Sequence, residues 1–115
     1  MRSHAAVAVT CLLAVLLAGC TGNEFRASGT GTFPPYDGPV ELLQQLPQPG
    51  SYDLVGVVLI RGVGFTDDDR MFEQLRELAG ERGADAVIPQ GKIRDDPTAE
   101  GGQERRLAGY AIRRR

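Results

Sequence analysis

The sequence predicts an α+β domain in which one amphipathic helix packs on a small mixed sheet of three to four strands, in the order β-β-α-β-β. Three observations predict it. Tyr52–Ile60 is a nearly continuous, β-branched apolar run, the pattern of a central strand. Residues 67–82 carry an apolar stripe at helical spacing, with aspartates before it and a glycine after it. Ala84–Pro89 and Leu107–Ile112 are further short apolar runs, separated by a polar loop over Gln90–Gln103. A strand, a helix and a strand of these lengths predict a right-handed parallel crossover, and the last two strands predict a long antiparallel hairpin.

Each element has its own signals. Pro34-Pro35-Tyr36-Asp37-Gly38-Pro39 is a rigid, turn-rich lead into the domain. Val40–Leu46 reads as an edge strand, with a short helix as the alternative, and Pro47 and Pro49 end it in either case. Arg61-Gly62-Val63-Gly64 breaks the central strand. Thr66 with Asp69 three residues on resembles a capping box, and Asp67, Asp68 and Asp69 complement the positive end of the helix dipole. Met71, Phe72, Leu75, Leu78 and Ala79 fall within about 120° of arc, whereas Arg70, Glu73, Arg76, Glu77, Gly80 and Glu81 fall outside it. Gly83 suits the left-handed position after the last helical turn. Arg113-Arg114-Arg115 reads as a solvated tail.

The N-terminus has a different character. Arg2 and His4 precede an apolar run, Ala5–Leu17, of 13 residues. That is too short for a membrane-spanning helix, which needs roughly 20. The run closes in Leu17-Ala18-Gly19-Cys20. This leader resembles a bacterial lipoprotein signal with its lipobox. The resemblance implies cleavage after residue 19, a diacylglyceryl group on the Cys20 thiol and acylation of the new amino end. One acyl chain binds a membrane marginally, whereas two or more hold firmly. Residues 1–19 are then a cleaved signal peptide, 20–33 a flexible tether and 34–115 a single small domain. Thr21–Thr32 is rich in Gly, Ser, Thr and Asn and spans roughly 20 Å as a coil. Phe25 is the odd residue within it and reads as a stray apolar residue, with an interfacial contact beside the lipid as the alternative. Thr21, rather than Asp, follows the cysteine, which by resemblance directs the protein to the periplasmic face of an outer membrane where there is one.

Cleavage leaves 96 of the 115 residues, a chain large enough for one domain with a limited core. Arg2 leaves with the leader, so 12 basic residues face 15 acidic ones and nothing points to nucleic acid. His4 leaves too, so the mature chain has no histidine. That removes Ser-His-Asp triads, Cys-His dyads, histidine-bearing zinc sites and a histidine pH switch. Cys11 is lost and Cys20 carries lipid, so no disulfide forms within the mature chain.

The order of strand, capped helix, Gly83-Ala84-Asp85-Ala86-Val87-Ile88, loop and Leu107-Ala108-Gly109-Tyr110-Ala111-Ile112 resembles small envelope proteins with a YbjQ-like or Rcs-sensor-lipoprotein-like domain. The likeness covers about half of the chain. It implies the fold and a non-enzymatic class, and it carries over no signalling partner, cofactor or metal.

Three chemical readings compete with a binding role. Gly62-Val63-Gly64 between a strand and a helix invites a phosphate loop, but no Walker lysine follows and three aspartates would repel phosphate. Asp67, Asp68 and Asp69 are candidate ligands for a hard cation, although successive residues at a helix start point in different directions. A paired-carboxylate hydrolase has acids enough but no tryptophan and few aromatics for a sugar platform. The expectation is therefore a membrane-anchored, non-catalytic binding, structural or stress-sensing module with an envelope protein partner. A small carboxylate- or metal-dependent envelope enzyme is the alternative. Arg105, Arg106 and Arg113–Arg115 make the C-terminal part basic, which reads as a solvated end or as a contact with anionic headgroups.

Overall fold

A computed structural model describes residues 22–29, 31–63 and 65–115; the leader and Cys20 lie outside them. Among the described residues, six strands and one helix follow in order: β1 (Glu24–Ala27), β2 (Glu41–Leu42), β3 (Tyr52–Val63), α1 (Asp68–Glu81), β4 (Ala86–Pro89), β5 (Arg94–Pro97) and β6 (Gln103–Arg114). All six strands join one mixed sheet in the order β1-β3-β6-β4-β2, with β5 also on β6. The broad α+β class stands, but the expected sheet of three to four strands in a β-β-α-β-β order is corrected to six strands, three before the helix and three after it.

The two additional strands are polar, which is why apolar periodicity does not reveal them. β1 lies inside the segment expected to be a flexible tether, and it pairs antiparallel with β3 from Glu24↔Leu59 to Ala27↔Gly56. Phe25 accounts for its docking. Its ring packs on the core, close to where a side chain at Gly56 would lie, and the Arg82 guanidinium stacks over it at 5.0 Å. Phe25 is thus a core contact of the domain. β5 lies inside the expected loop. Its Arg-Asp-Asp-Pro sequence has poor strand propensity, and cross-strand charge holds it: Asp95 sits opposite Arg105 and accepts from its Nε at 2.8 Å. The Thr98–Gly102 turn closes this hairpin, with Thr98 N–H donating to the Gly102 carbonyl at 2.9 Å and Gly101 at φ 84°.

β6 is the organising strand, at 12 residues instead of the expected six. β3 covers one of its edges from Glu104 to Arg114. β4 and then β5 lie end to end along the other. β3 and β4 therefore run parallel, as expected of a crossover, but with β6 inserted between them. The edge strand expected over Val40–Leu46 shrinks to Glu41–Leu42, which pairs parallel with β4. Gly62 does not break β3, which continues to Val63.

The helix covers one face of the sheet. Met71, Leu75 and Ala79 are fully buried, with Phe72 and Leu78 at their flanks, as the arc requires. They meet Val55, Val58 and Ile60 of β3, Val87 of β4, and Leu107 and Ala111 of β6. Gly109 lets the helix come close, because a Cβ there would lie 3.3 Å from Leu75 Cδ1 and 3.0 Å from Val87 Cγ2. The helix ends as the glycine predicts. Gly83 has φ 98°, its N–H donates to Gly80 at 3.0 Å, and the Ala84 N–H donates to Ala79 at 3.0 Å, a Schellman arrangement.

Gly80 overturns its assignment to the solvent face. It is buried beneath Tyr36–Val40, with the Tyr36 N–H donating to its carbonyl at 2.8 Å. A Cβ at Gly80 would stand 3.0 Å from Val40 Cγ2. The proline-rich lead thus runs across the back of the helix, and helical periodicity cannot report a segment that arrives from elsewhere in the chain.

Candidate functional site

The turn from β3 into α1 holds Asp67, Asp68 and Asp69. Asp67, not Thr66, is the N-cap, with extended backbone and no side-chain capping bond. The expected capping box is therefore absent. Asp68 and Asp69 occupy the first turn, where the dipole favours carboxylates. What fastens this turn is Arg105, whose side chain is only 15% exposed. Its guanidinium donates to Asp68 at 2.6 Å, to Asp95 at 2.8 Å and to the Thr66 carbonyl. Hydrogen bonds to the two carboxylates, Asp68 first, raise the arginine's pKa above its ordinary value. One cation thus ties together β6, β5 and the helix start.

Arg105 already supplies positive charge to Asp68. Among the described residues, no three acids, histidines or cysteines converge as a metal set. Calcium or magnesium at about 5 mM, near the weakest extracellular affinities, is expected to leave the melting temperature unchanged. A site saturated at about 100 times its dissociation constant would add about 2.7 kcal/mol. Thr66→Ala should shift stability by no more than about 0.5 kcal/mol, because its hydroxyl caps nothing. Arg105→Ala should lower the melting temperature clearly more than Thr66→Ala. The reverse order in thermal melts would return the cap to Thr66.

The face of the sheet away from the helix is differently built. Val57 pairs with Tyr110 and Leu59 with Ala108, and these four half-buried residues lie side by side. Beyond them, Ala86, Ile88 and Ile112 form a second buried cluster under Leu43 and Tyr52. At the other end the face turns polar. Arg61 pairs with Glu24 at 3.2 Å and Glu104 at 3.7 Å, and Arg106 pairs with Glu104 at 3.1 Å. The result is an apolar centre with a charged margin. Sequence reasoning missed it because alternation inside β3 and β6 shows two apolar faces without showing that α1 covers only one of them.

The chain matches no protein-family model, no curated protein and no solved structure.

Arg114 and Arg115 are exposed as expected, but β6 runs to Arg114 and the three C-terminal arginines are paired rather than free. Arg113 stacks over Tyr36 at 4.8 Å, Arg114 bonds Glu41 at 2.8 Å and Asp85 at 3.1 Å, and Arg115 bonds Asp53 at 2.7 Å. Their charges are spent on closing the sheet end. The hydrogen bond from Arg115 holds the Asp53 carboxyl below its ordinary value. A lowered carboxylate stabilises the fold above its unfolded pKa, and that contribution is lost as pH falls through the folded value.

Proposed function

We propose that the chain is a bacterial lipoprotein, anchored through lipid on Cys20 to a membrane outside the cytoplasm, whose domain works by binding an envelope protein rather than by catalysis. The observation that carries the anchor is Leu17-Ala18-Gly19-Cys20 closing a short apolar leader. Thr21 after the cysteine favours the periplasmic face of an outer membrane where one exists. The sheet supports the binding role. Val57, Leu59, Ala108 and Tyr110 give an apolar, aromatic-bearing centre, and Glu24, Arg61, Glu104 and Arg106 give a polar rim, which is the make-up of protein interfaces. The carboxylates bound by arginines also speak for structure. The likeness of Gly83–Ile88 to YbjQ-like and Rcs-sensor-lipoprotein-like domains points to the same non-enzymatic class.

Two readouts on the full-length chain test this. Cys20→Ser should leave the protein uncleaved or make it partition into the aqueous phase with detergent. A variant that is cleaved yet stays as membrane-bound as wild type would end the lipoprotein reading. A photo-crosslinking residue at Tyr110 should capture one stoichiometric envelope protein, where the same residue at exposed Glu77 captures none. Turnover of a small molecule by the purified chain would instead favour the enzyme.

A further inference from the structure

The path of β1 fixes where the proposed anchor leaves the domain. β1 runs antiparallel to β3, so its first residues lie beside the last residues of β3. Asn23 Oδ1 accepts a bond from the Arg61 N–H at 3.0 Å. Gly22 lines a shallow cleft with Arg61, Gly62 and Val63. Cys20 is two residues upstream of Gly22 in the chain.

The same end of the sheet carries the two most exposed large hydrophobic residues among those described. Val63 is 52% exposed and Phe65 is 91% exposed. No backbone requirement explains an aromatic at Phe65. It is one residue from Thr66, whose carbonyl accepts from Arg105. Nearly full exposure of a phenylalanine withholds apolar area that association with hydrocarbon would remove from water.

We propose that this end of the sheet is a membrane-contact surface: Phe65, with Val63 behind it, seats in the interface of the bilayer that holds the lipid of Cys20. The inference rests on the anchor reading and adds an orientation to it. A contact too weak to hold a free protein suffices here, because the anchor keeps it at high effective concentration. The local charge selects the surface. Asp67, Asp69 and the ion-paired Asp68 lie exposed next to Phe65, so anionic headgroups are repelled and zwitterionic phospholipid is favoured. In this orientation β3 stands up from the membrane and carries the sheet's open face with it. Leu54, nine residues back along the strand, is held about 30 Å from Val63.

The absence of tryptophan from the chain makes the test direct. Phe65→Trp and Leu54→Trp each introduce a single tryptophan, excited selectively at the red edge of its absorption, at an exposed site. The full chain, extracted from membranes and shown by intact mass to carry lipid on Cys20, is reconstituted into phosphatidylcholine vesicles with or without bromine on the acyl chains. The expected result is a blue-shifted Phe65→Trp emission that bromolipid quenches several-fold more than that of Leu54→Trp. Lipid on Cys20 with equal quenching of the two variants overturns the orientation and leaves the anchor standing. Absence of lipid on Cys20 overturns both. A blue shift that grows with protein density and is indifferent to bromine places a second copy on Phe65 and also overturns the membrane contact.

Discussion

Leu75→Ala is expected to lower the unfolding free energy by about 2–5 kcal/mol, the range for removing a buried leucine and leaving a cavity. Leu75 has no exposed surface and lies centrally in the stripe between Met71 and Ala79. Its Cδ1 lies over Gly109, 3.3 Å from where a Cβ there would stand. The cavity will not collapse easily there, because the glycine offers no side chain to move into it. Domains of this size hold a margin of only about 5–15 kcal/mol, so the change removes a large share of it. Glu77→Ala, on the exposed side of the same helix, should stay within about 0.5 kcal/mol. Urea midpoints with an unchanged slope measure both. Equal responses from the two variants would refute the face assignment. Gly80 cannot serve as the surface control that helical spacing suggests. The gain of about 1 kcal/mol from replacing a helical glycine is opposed at this position by Val40 and the Tyr36 backbone.

That contrast shows where the sequence was legible. The helix stripe, the left-handed Gly83 and the apolar centre of β3 each follow from local rules, because spacing and one residue's φ preference are properties of a few neighbouring positions. The misjudged parts depend on residues distant in the chain. β1 was hidden because Glu24, Arg26 and Ala27 carry no strand pattern, and Phe25 finds its pocket only once Gly56 and Arg82 are in place. β5 was hidden because the partner that stabilises it, through Asp95, is a charge on β6 ten residues further along the chain. Arg105 could not be singled out among the arginines, since nothing local marks which of them reaches Asp68, Asp95 and Thr66. Arg113–Arg115 read as a tail for the same reason, although Tyr36, Glu41, Asp85 and Asp53 each receive one of them.

Gly56→Leu is expected to separate β1 from the sheet at a cost of roughly 2–4 kcal/mol, from the lost burial of Phe25 and the overpacked strand pair. A Cβ at Gly56 would collide with the Arg26 carbonyl oxygen and come within 2.6 Å of the Phe25 ring. A side chain could rotate away, but a backbone carbonyl cannot, so the strand itself must leave. β3 and β6 keep their own pairing, because their register at Gly56↔Ala111 does not involve β1. Hydrogen exchange should therefore become fast at Glu24–Ala27 while Leu107–Ile112 stays protected. Loss of protection throughout would mean that β1 is integral to the whole fold rather than a strap on its edge. The same variant separates the anchor from the orientation. With β1 released, the chain from Cys20 to the lead at Phe33 becomes the tether of roughly 20 Å that its composition predicts, and Phe65 is no longer held against the bilayer. Added to Phe65→Trp, the Gly56→Leu change should keep the protein in the membrane and reduce quenching by bromolipid towards the level of Leu54→Trp. Quenching that survives the release of β1 would mean that Phe65 finds the membrane without the strand that aims it.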